Sequence, residues 1–227
     1  KGLLRKTINK YSINSIIHLA AYLNVSEAEI KKKKYYKNNS LATKLLWESA
    51  KNTTVKNIIF SSSCSVYGNV KGAVSETKKI NPQGYYAYTK YKGEELIKKY
   101  SKKNKFRYGI LRYFNVAGAS PSGLIGEIET SHGHLIKNIA IQSLKKNPKI
   151  KIYGNDYETK DGTCIRDYIH VSDLADIHIK SLVYLNKNKK SFILNCGYGK
   201  GYSVKDIVNI FKKIKSNVKI SFLSRRS

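Results

Sequence analysis

Tyr86-Ala87-Tyr88-Thr89-Lys90 sets a phenol and an ammonium four residues apart. On a helix that spacing puts both side chains on one face. A neighbouring ammonium stabilises the phenolate and lowers the phenol's pKa. A phenol prepared in that way takes a proton from a substrate hydroxyl and returns it in the reverse step. The pattern is short, and with 18 Tyr and 37 Lys in the chain a chance match is the competing reading. A second group of residues lies 23 positions upstream of Tyr86, at Ser63 in Ser61-Ser62-Ser63-Cys64-Ser65-Val66-Tyr67-Gly68. Serine hydroxyls at a strand end can bond the same substrate oxygen as the tyrosine; ordinary turn chemistry is the plainer explanation.

These residues need elements to hold them. Ser15–Ala20, Asn57–Ser61 and Tyr108–Phe114 are short apolar runs that read as strands buried on both faces. Tyr36–Ala50 carries Leu41, Leu45, Leu46 and Ala50 at helical spacing, and Tyr86–Tyr100 reads as a second helix. Strands alternating with helices predict an α/β protein with a doubly wound parallel sheet. A strand ending at the carboxyl edge of such a sheet is where open α/β proteins bind ligands. Further on, Ser120–Gly126 reads as a loop, His134–Leu144 as a helix and Lys149–Tyr153 as a strand. Ser172-Asp173 is expected to cap a helix through Leu185, Phe192–Asn195 to form a strand, and Ser203 to cap a helix over Val204–Ile214.

Composition bounds the partners. The formal charge is +28, but of the 43 basic residues 37 are Lys and 6 are Arg. Nucleic-acid binders lean on the bidentate fork of Arg. Abundant Lys, Asn, Ile and Tyr together instead read as AT-rich coding bias on a solvated surface, so no nucleic-acid partner is expected. No apolar run is long enough to span a membrane. Cys64, Cys164 and Cys196 are far apart and odd in number, so neither disulfides nor a metal site is expected, and free thiols fit a reducing, cytoplasmic compartment.

The sequence has no Met and no G-x-G-x-x-G or G-x-x-G-x-x-G. A dinucleotide-binding sheet normally opens with a strand, such a turn and a helix. Gly197, Gly199 and Gly201 come near the end with other spacing, and read as a tight loop before a helix or as a phosphate cradle. The expectation is an internal piece of a longer chain.

Longer stretches carry a family likeness. They are Ile17–Ala21 with Tyr35–Asn39, Leu111–Ala119, Gly154–Val171 and Asn195–Val204, the third containing Asp161-Gly-Thr-Cys-Ile-Arg-Asp-Tyr-Ile-His-Val171. With the Ser–Tyr–Lys set, the chain resembles the extended short-chain dehydrogenase/reductases, and within them the UDP-glucose 4-epimerase group. The resemblance implies a Rossmann-like NAD-binding domain, its remainder at residues 1–118. It implies a smaller C-terminal α/β substrate-binding region at 119–227, with segments returning to the Rossmann sheet. It further implies reversible C4 epimerisation of UDP-glucose and UDP-galactose through a transient 4-keto sugar, with NAD as bound cofactor, in a homodimer.

Carried over position by position, the resemblance makes Tyr86 the acid/base, Lys90 its tuning residue and holder of the nicotinamide ribose, and Ser63 the partner of the sugar O4. Leu19, Ala20, Ala21, Tyr22, Leu23, Asn38, Ser61 and Phe114 would line the NAD site. Asn115, His134, Leu135 and Tyr153 would contact the nucleotide sugar, and Arg166 and Arg226 would neutralise the diphosphate. Plainer readings stand beside these: Phe114 as core, His134 as a loop residue, Arg166 as a surface ion pair and Tyr153 as a packing aromatic. The rival functions are another nucleotide-sugar epimerase or dehydratase and a non-catalytic NAD-binding relative. A dehydratase needs an acid pair, and Ser61–Ser65 contains no carboxylate.

Overall fold

The computed structural model describes residues 1–128 and 134–225. Contacts divide the chain into one unit of Lys1–Tyr113 with Ala175–Cys196 and another of Phe114–Leu174 with Gly197–Ser227.

The first unit is built on four parallel strands in the order β1-β2-β3-β7. These are β1 (Ser15–His18), β2 (Asn57–Ser63), β3 (Arg107–Tyr113) and β7 (Phe192–Cys196). The expected α/β parallel sheet is present. Register is continuous from Asn57↔Arg107 to Ser63↔Tyr113, so the ends of β2 and β3 lie side by side.

Ile58, Ile59, Phe60, Ile110 and Leu111 are all at most 3% exposed, which is why the sequence shows no polar alternation here. Ile58, Phe60 and Ile110 pack with Ile8 of α1 (Gly2–Lys10), Trp47 of α4 (Ala42–Ala50) and Ile97 of α5 (Tyr85–Asn104). On the opposite face, Tyr113 meets His178 and Phe192 meets Tyr184, both partners on α7 (Val171–Asn188). The sheet is therefore wound on both sides. Each such large apolar side chain contributes roughly 1.5–3 kcal/mol through burial.

The helix expected over Tyr36–Ala50 is not a single one. Short helices α2 (Val25–Ile30) and α3 (Lys32–Tyr35) come first, then a π-helical turn over Tyr36–Leu41, then α4. The wide turn holds two buried polar residues, Asn39 and Ser40. Wide turns of this kind often mark sites where a side chain must be re-aimed. The helix α5 has Gly93 in its middle, where a residue without Cβ costs helix stability. The reason is contact: a Cβ there would lie 2.2 Å from Cζ of Phe60. Gly93 thus lets α5 lie close against β2.

In the second unit, β5 (Lys149–Tyr153) pairs in parallel with β9 (Lys219–Leu223). Strict alternation buries Ile150 and Ile152 and exposes Lys149 and Lys151. The buried pair packs with Ile139 of α6 (Leu135–Ser143) and with Val208 and Phe211 of α8 (Val204–Ile214). The expected cap at Ser203 forms as a full capping box with Asp206. The same unit also holds β4 (Asn115–Ala117), β6 (Ile165–His170) and β8 (Gly201–Ser203), in the order β4-β6-β8.

The cap expected of Ser172-Asp173 is not formed that way. Helix α7 already begins at Val171. The Ser172 N–H is instead satisfied by Nδ1 of His170, at 3.2 Å.

Candidate active site

Three successive turns of α5 present Tyr86, Lys90 and Glu94 on one face, as spacing by four requires. Each meets one residue at the end of β2. The Tyr86 phenol shares a hydrogen bond with Ser63. The Lys90 ammonium donates to the Ser61 carbonyl at 2.8 Å. Ser62 Oγ donates to Glu94 Oε1 at 2.6 Å. Ser63 Oγ also accepts from the Ser65 hydroxyl at 2.9 Å, which closes the turn after the strand.

Glu94 and Arg112 are fully buried and form a two-pronged ion pair at 2.9 and 2.7 Å. Arg112 also donates to the Tyr67 hydroxyl at 2.7 Å, and that hydroxyl donates to Asn195 Oδ1 at 2.7 Å. The pair therefore ties α5 and β3 to the turn beyond β2. Glu94 stands four residues beyond Lys90, so helical spacing alone could have drawn attention to it.

The electrostatics depart from the expectation drawn from spacing. Burial pushes the Tyr86 phenol up to about 12, with the Ser63 hydrogen bond pulling the other way. The Lys90 ammonium is itself brought down to about 8 by burial. Its Nζ lies 6.0 Å from the Tyr86 ring centre and is engaged by the Ser61 carbonyl. Desolvation dominates at both groups.

Two further groups border this edge. His18, at the end of β1, is held down to about 4 by burial and then by the Lys90 charge. Its Nε2 lies 2.9 Å from Thr43 Oγ1, and its ring stands edge-on to Trp47. Tyr113 bonds His178 Nε2 at 2.6 Å, and burial raises its phenol strongly despite a hydrogen bond to Ser61.

Leu19–Leu23 follows β1, with Leu19 57%, Tyr22 40% and Leu23 60% exposed. Asn39 holds this segment, a residue not picked out from the sequence. Its Oδ1 accepts from the Tyr22 N–H at 2.8 Å and its Nδ2 donates to the Tyr22 carbonyl at 3.0 Å. The same Nδ2 reaches Thr89 Oγ1 of α5 at 3.2 Å. Asn38, the residue named from the sequence, is half-buried and donates to Asn39 Oδ1 at 3.1 Å. Sequence offers no signal to separate these adjacent asparagines, because the π-helical turn decides which one faces inward.

The remaining expected residues belong to the second unit. Phe114 and Asn115 are half-buried, Asn115 opening β4. His134 precedes α6, is exposed, and has Nδ1 3.1 Å from Glu127 Oε1. Leu135 is the first residue of α6, and Tyr153 ends β5. Arg166 is exposed on β6 and donates to the Ile165 carbonyl at 2.8 Å. Arg226 lies outside the described residues. Its neighbour Arg225 is committed to Asp156, at 2.7 Å, and stacks 4.2 Å from the Tyr157 ring centre.

The Gly197–Gly201 segment is a loop, not an anion cradle. The Asp167 carboxylate already accepts the N–H groups of Tyr198 and Gly199, at 3.0 and 2.8 Å. Among the described residues no group of three or more His, Cys, Asp or Glu could hold a metal ion. No helix among them is long and apolar enough to cross a membrane.

The UDP-glucose 4-epimerase of Azospirillum brasilense is 36% identical over 226 residues, covering 99% of this chain and 65% of its own. That of Lactobacillus helveticus is 39% identical over 213 residues, covering 93% of this chain and 64% of its own. The chain thus spans just under two thirds of the length of these curated relatives. The crystal structure of UDP-glucose 4-epimerase from Brucella ovis in complex with NAD superposes with a TM-score of 0.91 at 36% identity. That match covers 100% of this chain and 70% of that one. The model of the NAD dependent epimerase/dehydratase family matches residues 1–197, and the chain belongs to that family.

Proposed function

We propose that the intact protein interconverts the C4 epimers of a UDP-hexose, UDP-glucose and UDP-galactose, with NAD as its resident cofactor. The observation that carries this is the Tyr86–Ser63 hydrogen bond beside a Lys90 buried against the Ser61 carbonyl.

The residues present suit the nicotinamide end of that cofactor. The carboxyl edge of β1 and β2 offers a segment with exposed apolar side chains, a buried ammonium and hydroxyls close together. Leu19, Ala20, Ala21, Tyr22, Leu23, Asn38, Ser61, Lys90 and Phe114 would hold the cofactor. NAD, when bound, supplies a hydride acceptor for sugar C4 and a positive charge that opposes the upward push of burial on Tyr86.

The chain's own residues do the proton work. Ser63 and Tyr86 hold the sugar 4-hydroxyl between them. Tyr86 takes its proton as C4 is oxidised and gives it back when C4 is reduced on the opposite face. The Lys90 charge favours the phenolate in that interval. Asn115, His134, Leu135 and Tyr153 contact the nucleotide sugar, and Arg166 with Arg226 pairs with the diphosphate. The general lysine excess also favours encounter with an anionic substrate. Cysteines kept as thiols fit a reducing cytoplasm, and a homodimer is the proposed assembly.

Tyr86→Phe in the intact protein is the test. Conversion of UDP-galactose should fall by about 10³-fold, within the range lost with a general acid/base, and NAD should still bind. Undiminished conversion would remove Tyr86 from this role.

A further inference from the structure

The first turn of α5 carries Tyr86 but does not cap itself. Its N-cap is Gly84, with no side-chain hydrogen bond, and no acidic residue stands in its first turn. The free N–H groups of a helix start need an acceptor. Here one comes from another helix. The Glu29 carboxylate of α2 accepts the N–H of Tyr85, the residue immediately before Tyr86.

The contact is built from both sides. Gly84 leaves the room, since a Cβ there would lie 3.0 Å from Glu29 Oε1. Ala28 beside Glu29 is fully buried. Lys32 of α3 lies 5.7 Å over the Tyr85 ring centre. Helix α2 is in turn fixed to the segment after β1: Asn24 caps it by accepting the Glu27 N–H at 2.9 Å. Asn39 pins that segment at Tyr22.

We propose that Glu29 is a positioning residue for Tyr86. It caps α5 in trans and so links the setting of the Tyr22–Asn24 segment to that of the Tyr86 phenol. This inference rests on Tyr86 being the acid/base, and it assigns Glu29 a role through that residue, with no contact to substrate. A carboxylate at a helix start also interacts favourably with the helix dipole.

The experiment uses the intact protein and three variants. Glu29→Ala should raise amide hydrogen exchange at Tyr85–Ala87 and lower kcat for UDP-galactose about fivefold, the scale of one lost cap, with KM unchanged. Glu29→Gln, which keeps an acceptor oxygen, should recover most of both. The double variant Glu29→Ala/Gly84→Ser gives α5 a cap of its own, because Gly84 has the extended backbone of an N-cap, φ −149° and ψ 163°. It should restore slow exchange and kcat together. Unchanged exchange in Glu29→Ala overturns the cap. Faster exchange with unchanged kcat, or a serine that restores exchange but not kcat, overturns the positioning role. If the wild-type protein does not epimerise UDP-galactose, the proposed reaction fails, while the exchange measurements still decide whether Glu29 caps α5.

Discussion

Lys90 places its ammonium 2.8 Å from the Ser61 carbonyl oxygen while only 3% exposed. A carbonyl gives less compensation than a carboxylate for a charge taken out of water. The consequence is a pKa lowered by burial to about 8 from the ordinary 10.5. The folded state therefore carries a cost while Lys90 is protonated. That cost is full below pH 8 and fades as pH rises toward 10.5, where the unfolded chain also loses its proton. A shift of this size corresponds to at most about 3 kcal/mol. Lys90→Met should raise cofactor-free stability by about 1–2 kcal/mol at pH 7, since the lost hydrogen bond offsets part of the gain. Urea unfolding at pH 7 and pH 10 measures it; a less stable variant at pH 7 contradicts the account.

His18 gives a slope of the same sign on the acid side, stability again rising with pH. Its pKa falls from 6.5 to about 4, first by burial and then through the Lys90 charge. Between these values the unfolded chain binds a proton that the folded chain refuses. Stability is full above pH 6.5 and declines as pH drops toward 4, by up to about 3 kcal/mol. His18→Gln, which keeps a partner for Thr43, should flatten the stability profile between pH 6.5 and 4. A profile that keeps its slope in the variant assigns the effect to another group.

Asn39 holds both backbone groups of Tyr22, and the variant Asn39→Ala leaves them without protein partners. The loss should cost about 1–3 kcal/mol in stability. It should speed exchange of the Tyr22 amide and weaken NAD binding, read by calorimetric titration. Asn38→Ala should change stability far less, because Asn38 touches the clamp only through Asn39. Equal effects at the two positions contradict this division.

Glu94 and Arg112 are a buried ion pair, and breaking such a pair strands a charge. Glu94→Ala should destabilise the protein by about 3–5 kcal/mol. The Lys92–Glu95 pair on the same helix is also close, at 2.7 Å, but its side chains are 40% and 42% exposed. Glu95→Ala should therefore cost less than about 1 kcal/mol. Chemical denaturation of both variants gives the comparison, and similar losses would mean that burial does not set the difference.

What the sequence determined by itself is whatever depends on neighbours a few positions away. Ile58-Ile59-Phe60 reads as a strand buried on both faces because every residue is apolar. Ser203 reads as a cap because the helix it serves begins at the next residue. Tyr86 and Lys90 share a face because a helix returns every four residues. Tertiary structure decided everything that depends on what lies across space. It broke the helix expected over Tyr36–Ala50 with a π-helical turn and thereby chose Asn39 over Asn38 as the clamp. It filled the Gly197–Gly201 loop with the Asp167 carboxylate. It reversed the expected direction of the Tyr86 pKa, because the spacing of Tyr86 and Lys90 fixes their proximity but not their dielectric surroundings. Burial against β2 sets those, and burial penalises the charged form of each group.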